Sequence, residues 1–311
     1  MINIALCTDS YYMMACGPCL VSIFEHHPAN SCHVYVITKE LSESDVAGMQ
    51  KLAKEYNQQL TVVYVHPGDL THLKVCERFR ESIYYRLLLP ELLPQLDKVL
   101  YLDCDILVND SLDGLWNTDI TEYACAVVED QEGDDITLHN RIGVYTTYFN
   151  SGVLLMNLVY WRKHSLAEKI VNYIYENPER CFFPDQDAMN AVLQNQVKFL
   201  PYGYNFQDLW FLTDRQWIRL HSSKFEEVDK WISHPIVIHF AGENKPWRKK
   251  CIHPYRQYYL DCLAKTPWTL ARYKKPKDTN KAHKYLRRFN RVLIALILET
   301  IVFVIYVILT H

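Results

Sequence analysis

The sequence predicts an α/β fold, a mixed and mostly parallel sheet flanked by helices, with a C-terminal transmembrane helix added to it. Three observations predict this. Short, continuous apolar runs alternate with amphipathic stretches over the first hundred residues, the pattern of strands buried on both faces by helices. Of the 311 residues, 49% are hydrophobic, enough to bury a sizeable core. Residues 292–309, VLIALILETIVFVIYVIL, carry one charge, Glu299, and have no polar face. As a helix they reach roughly 27 Å, close to a hydrocarbon layer of ~30 Å.

The elements follow in order. Residues 2–8 (INIALCT) read as a buried strand and 10–26 as a helix. A strand at 33–38 precedes a helix at 42–57, for which Ser42 is the candidate N-cap. Residues 60–65 form a third strand. A helical stretch at 78–89 runs into Pro90, and 98–102 (KVLYL) form a fourth strand. Beyond residue 120 the pattern loosens. Strands are expected at 123–128, 152–157 and 236–240, and helices at 158–176 and 185–195. The resulting division is a catalytic domain at 1–265, a basic linker at 266–291 and a membrane anchor at 292–310.

Charge is unevenly placed. The chain is formally −3, yet residues 272–291 carry nine Lys/Arg against one acid, Asp278, so the preceding body is acidic. An acidic body excludes a nucleic-acid binder. Lys/Arg just ahead of a span stay on the cytoplasmic side. The first residues, MINIALCTD, contain no signal-peptide pattern. The expected location is therefore the cytoplasmic face of a bacterial inner membrane, where the ten scattered Cys remain thiols.

The sharpest chemical signal is Leu100-Tyr101-Leu102-Asp103-Cys104-Asp105. Two carboxylates two apart at a strand end project to one side. Ligands of parallel sheets bind beyond such ends. Like charges there call for a cation, and hard oxygen donors suit Mg²⁺ or Mn²⁺, which also grip phosphate. A solvated turn fits the same two residues. A second motif, Cys16-Gly17-Pro18-Cys19, matches a redox CxxC only by spacing, because it falls inside the first helical region.

Six segments in order settle the wider reading: Cys7-Thr8-Asp9-Ser10-Tyr11-Tyr12, Tyr85-Arg86-Leu87, Lys98 through Asp105, Phe149-Asn150-Ser151-Gly152-Val153-Leu154-Leu155-Met156-Asn157, Asp185-Gln186-Asp187, and His239-Phe240-Ala241-Gly242-Glu243-Asn244-Lys245-Pro246-Trp247. Together they resemble glycosyltransferase family 8, the retaining UDP-glucose and UDP-galactose transferases that include lipopolysaccharide enzymes. The resemblance covers about residues 2–263. It implies a GT-A-type nucleotide-sugar transferase fold. It also implies that Asp9 binds uracil, Tyr12 stacks on it, and Thr8 and Ser10 lie nearby. Arg86 would meet donor phosphate and sugar, where a planar cationic fork suits the task. Asp103, Asp105 and His239 would hold the metal, and the imidazole favours Mn²⁺ over Mg²⁺. Asn150, Ser151 and Gly152 would line the sugar pocket. Asp185 would hydrogen-bond the sugar or cap its helix. Gln186 would lie on the sugar face opposite the leaving phosphate, and Gly242 and Lys245 would close on the diphosphate. The segment 207–229 matches nothing in the family and leaves the acceptor side unread.

The expected activity is transfer of a hexose, glucose or galactose, from a UDP-sugar to a hydroxyl of a glycan or lipid-linked glycan acceptor, with retention, in lipopolysaccharide or related cell-surface glycan synthesis. The competing readings are a non-catalytic UDP-sugar-binding membrane scaffold and a glycoside hydrolase. The hydrolase would use a carboxyl pair without metal or nucleotide.

Overall fold

β1 (Ile2–Cys7), β2 (Cys32–Thr38) and β4 (Lys98–Leu102) are almost wholly buried apolar runs, as strands covered on both faces must be. The computed structural model describes residues 1–66 and 81–272. β3 (Gln59–Tyr64) alternates more exposed with less exposed positions because it is an edge strand. The main sheet has seven strands in the order β3-β2-β1-β4-β7-β6-β8, where β6 is Cys125–Glu129, β7 is Phe149–Asn157 and β8 is Val197–Phe199. β1 to β4 run parallel, β7 runs antiparallel to both β4 and β6, and β8 is parallel to β6. The mixed, mostly parallel sheet expected from the sequence is therefore present.

A second, three-stranded sheet was not foreseen. It joins β5 (Ile106–Val108), β10 (Val237–His239) and β9 (Phe206–Gln207) in the order β5-β10-β9. β10 falls inside the strand expected at 236–240, but β5 and β9 have three and two residues, too few to show a period. This sheet carries His239 to the turn that leaves β4.

Helix Met13–Glu25 is buried from Met13 to Phe24. Helix Glu43–Glu55 is capped as expected: the Ser42 hydroxyl accepts the Asp45 N–H at 3.1 Å. Two expectations need correcting. The stretch before Pro90 is a 3₁₀ helix over Glu81–Leu88, followed by a short α-helix, Leu89–Leu92, that contains the proline. The single helix expected at 158–176 is two, Leu158–Lys163 and Leu166–Glu176, because Ser165 between them takes a left-handed φ of 50°.

The body extends past the last long helix, Arg256–Ala264. Trp268 is buried against Gly17 and Gly48, and its indole N–H donates to the Asp45 carboxylate at 2.8 Å. A Cβ on Gly17 would lie 2.5 Å from the indole ring. Gly17 is therefore required by packing. Cys16 and Cys19 on either side of it are buried free thiols, so the redox reading of Cys16-Gly17-Pro18-Cys19 is discarded. Among the described residues, no helix is long and apolar enough to cross a membrane; the expected span at 292–309 lies outside them.

Candidate functional site

The site lies beyond the carboxyl ends of β1 and β4. Asp103 and Asp105 belong to the turn between β4 and β5, not to a strand. Strand alternation is therefore not what aligns them. Backbone bonds hold the turn from both sides: Asp103 N–H donates to Gly152 O (2.8 Å) and Phe240 N–H donates to Asp105 O (3.0 Å). β10 delivers His239 to the same point, with Nε2 3.4 Å from Asp105 Oδ1 and 3.8 Å from Asp103 Oδ2. One ligand atom from each of the three residues falls within 4.8 Å of the others.

A hydrogen-bond chain fixes which imidazole nitrogen faces the carboxylates. Gly152 N–H donates to Asn150 Oδ1 (2.9 Å), so that oxygen is an acceptor. It also accepts from Asn205 Nδ2 (3.0 Å). Asn205 Oδ1 then accepts a hydrogen bond from His239 Nδ1–H at 2.9 Å. In the neutral ring this leaves the Nε2 lone pair directed at Asp103 and Asp105, as a metal ligand requires. The donor set is two hard carboxylates and one imidazole, which suits a divalent ion. Gly152 clears the space beside it, for a Cβ there would meet His239 Cε1 at 2.3 Å and Asp103 Oδ2 at 2.9 Å. The residues present fit a divalent metal.

The contacts continue into a closed ring. Arg86 donates to Asp103 Oδ1 (3.0 Å) and pairs with Asp185 Oδ2 (3.1 Å). It also donates to Ser151 O (2.7 Å) and Oγ (3.0 Å). Ser151 N–H donates to Gln186 Oε1 (2.9 Å), and Gln186 Nε2 donates to Asp130 Oδ2 (3.3 Å) and Tyr148 Oη (3.1 Å). Asn150 Nδ2 donates to the same Asp130 oxygen (2.9 Å), which returns the ring through Asn205 to His239.

β7 supplies Asn150, Ser151 and Gly152 because its pairing with β6 is interrupted. Ala126 pairs with Leu155, but Val128 already pairs with Asn150. The backbone between is released from β6 to serve Arg86, Gln186 and Asp103, a common use of strand irregularity beside a site.

Electrostatics follow the packing. Burial opposes ionisation of Asp105, but the Lys245 ammonium outweighs it and holds the carboxyl below its ordinary range. Burial pushes the Asp185 carboxyl up, and Arg86 only partly offsets this. Asp130 is raised for the same reason against bonds from Asn150 and Gln186. Burial also opposes the Arg86 charge, yet Asp103 and Asp185 on either side raise its pKa further.

Lys245 donates to Asp105 Oδ2 and to the Phe240 carbonyl, so its ammonium lies against the carboxylate pair. The loop that bears it reaches β1's end, where the Trp247 and Tyr12 rings meet edge to face at 6.0 Å. Asp9 there accepts the N–H of Tyr11 (2.9 Å) and Tyr12 (3.1 Å). Thr8 is buried next to it, and Ser10 Oγ accepts the Ser42 N–H (3.1 Å). The carboxylate of Asp208 accepts Gly242 N–H (2.9 Å) and occupies the space a Cβ would take. Gly242 is thus dictated by Asp208 and not only by a diphosphate. Asp185 is not a helix cap: Phe183 holds the N-cap position of helix Pro184–Val192, and Asp185 turns to Arg86.

Residues 3–251 match the model for glycosyl transferase family 8. The chain belongs to this family. It is similar to General stress protein A of Bacillus subtilis, 28% identical, with 86% of this chain and 94% of that one covered. It is similar also to a lipopolysaccharide 1,2-glucosyltransferase of Escherichia coli K12, 26% identical, with 94% and 86% covered. Among solved structures, galactosyltransferase LgtC in complex with donor and acceptor sugar analogs superposes with a TM-score of 0.76 at 24% identity, covering 86% of this chain and 97% of that one. That likeness shows a shared fold.

The family motifs in this chain therefore converge on one place. Sequence reasoning missed Asp130, Tyr148, Asn205 and Asp208, which bind the motif residues together. Asn205 and Asp208 lie in or beside the segment 207–229 that carried no pattern. Their roles come from contacts with residues far along the chain, which local spacing does not record.

Proposed function

We propose that this family 8 chain is a retaining hexosyltransferase that moves glucose or galactose from a UDP-sugar to a hydroxyl of a glycan or lipid-linked glycan acceptor. The observation that carries the reading is the closed ring linking the Asp103–Asp105–His239 triad, through Arg86 and Ser151, to Gln186. Binding alone does not need a leaving-group clamp bonded to a sugar-facing carboxamide, which weighs against the scaffold reading. The triad would hold Mn²⁺, with Mg²⁺ as the alternative, and the ion would neutralise the donor diphosphate.

The chain's own residues do the rest. Asp9 and Tyr12, with Thr8 beside them, would receive the uracil. Lys245 would exchange Asp105 for phosphate and stabilise the departing UDP. The loop 242–247, which meets Tyr12 through Trp247, would exclude water from the bound donor and so suppress hydrolysis. Asn150, Ser151 and Asp185 would contact the sugar. Gln186 is a carboxamide whose oxygen already accepts from Ser151, so it is a poor nucleophile. This favours attack from the face of the leaving group, with the donor phosphate taking the acceptor proton. Arg86 would position Asp103 and meet the diphosphate.

The place of action belongs to the same proposal. The basic residues 272–291 ahead of the apolar run 292–309 support an enzyme held at the cytoplasmic face of a bacterial inner membrane. That position, with the lipopolysaccharide transferase among its relatives, supports work on lipopolysaccharide or a related surface glycan. Because Trp268 packs into the body, the catalytic unit would run to Arg272, with a basic linker after it to residue 291 and the anchor at 292–310.

The test is UDP release by the full chain from a panel of UDP-sugars, with Mn²⁺ or with EDTA. Slow Mn²⁺-dependent hydrolysis of UDP-glucose or UDP-galactose, abolished by Asp105→Asn, is expected. UDP-sugar binding without turnover, even with membrane extract supplied as acceptor, would favour the scaffold instead.

A further inference from the structure

A cavity of about 520 Å³ lies behind the proposed sugar pocket, on the other side of the wall formed by β7 and helix Pro184–Val192. Phe149 and Asn190 line it. These residues also tie the wall together: Asn190 Oδ1 accepts Phe149 N–H (2.8 Å) and Asn190 Nδ2 donates to Gln186 O (2.9 Å). The cavity floor is therefore one residue from Asn150 along the strand and one turn from Gln186 along the helix.

The rim combines two kinds of group. Tyr145 and Phe199 are aromatic and 73% and 42% exposed, so both rings are open to a ligand at the rim. Between them stand Thr146, Thr147, Gln194 and Asn195. Among the described residues, no hydrogen bond engages the side chains of Thr146, Thr147 or Asn195. Asn195 holds a left-handed φ of 60° at this rim, and the Tyr145 hydroxyl is tied to Asn140 Oδ1 at 3.2 Å. No residue lining the cavity is charged.

We propose that this cavity is a second carbohydrate subsite, which grips a neutral segment of the glycan acceptor away from the reacting sugar. The inference rests on the transferase reading for the identity of the glycan, not for the site itself. A hexose ring has an apolar C–H face and a rim of hydroxyls. Flat aromatic faces bounded by hydroxyl and carboxamide groups match both. The uncharged lining disfavours nucleotides and phosphorylated ligands, which need cationic partners. The polar rim disfavours an acyl chain. A grip here adds an attachment point to a growing chain whose end lies in the catalytic pocket, and raises its effective concentration there.

Saturation-transfer NMR on the full chain tests this, with a neutral glucose hexasaccharide and a neutral galactose hexasaccharide as probes. UDP and Mn²⁺ are kept in excess to hold the donor site in one state, and only the part of the signal that the rim variants remove is assigned to the cavity. Ring-proton signals from at least one probe are expected in the wild type, and their loss in Tyr145→Ala/Phe199→Ala. If that double variant does not fold, Thr147→Arg places a charged bulk at an exposed rim position and should remove the signals equally. Donor hydrolysis should be unchanged in these variants. Absence of signal from both probes, or signals that persist in the variants, would overturn the subsite. A chain that hydrolyses donor but shows no such signal loses this inference and keeps the transferase; one that binds oligosaccharide here without turning over donor does the reverse.

Discussion

Arg86 divides one guanidinium among Asp103, Asp185, Ser151 and the Ile83 carbonyl, which it meets at 3.0 Å. A lysine ammonium is a point charge and cannot span those partners. Arg86→Lys should lower donor turnover about 10²-fold, the scale of a small misplacement in a reacting pocket, and leave a folded protein by circular dichroism. Arg86→Ala removes the cation altogether and strands two carboxylates, so a loss of about 3–5 kcal/mol in urea unfolding is expected. Gly152 is a different kind of requirement. A methyl there must displace His239 or Asp103, so Gly152→Ala should weaken metal binding in calorimetry and also cost about 1–3 kcal/mol of stability by overpacking. His253 supplies a pH test. It is buried among Phe240 and Phe211, and burial pushes its pKa down from 6.5 to about 4. The unfolded chain takes up this proton as pH falls through about 6.5, whereas the folded chain resists until about 4. Stability is therefore full at neutral pH and falls across that window, by about 1.4 kcal/mol per unit at most. Denaturant unfolding of His253→Phe at pH 7 and pH 4.5 should show a smaller drop than the wild type.

At the scale of elements, Trp268 shows how the chain's last described turn is joined to the first helix. Trp268→Ala should cost about 3–5 kcal/mol, as large-to-small changes in cores do. Gly17→Ala should cost about 1–3 kcal/mol by overpacking the same contact. Oxidants should leave activity unchanged through Cys16 and Cys19, since both are buried. The elements most readily read from sequence were the longer ones: β1, β2 and β4 as continuous apolar runs, and the Ser42-capped helix from its cap and amphipathic pattern. The carboxylate pair, Arg86, His239 and the Gly242 loop were legible because each sits in a run of consecutive motif residues. Of the three-stranded sheet only β10 was legible, inside the strand expected at 236–240; β5 and β9 have three and two residues, too few to show a pattern. The reason Asp103 and Asp105 face one way was also hidden. A turn fastened by Gly152 and Phe240 aligns them, whereas sequence pattern suggested alternation along a strand. Tyr148 shows the same limit. Its hydroxyl donates to the fully buried Asp187 (2.7 Å) and accepts from Gln186, so it orients the carboxamide through a contact that only the folded chain creates.

The whole molecule combines an acidic body with a basic tail, and Met1–Arg272 form one compact unit. The site draws every residue from that unit. Removing residues 273–311 should therefore leave Mn²⁺-dependent donor hydrolysis near that of the full chain and shift the protein from the membrane fraction to the supernatant after centrifugation. Loss of hydrolysis on truncation would mean that the tail completes the site. Asp103, Asp105 and His239 bring the β4–β5 turn and β10 together at one point of the closed ring, so a metal ion held there would be the centre of the proposed site. Mn²⁺ titration of the full chain followed by electron paramagnetic resonance, in the presence of UDP, addresses this most directly. One tightly bound ion per chain is expected, lost in Asp105→Asn and weakened in His239→Ala. Equal Mn²⁺ uptake by the wild type and Asp105→Asn would contradict it.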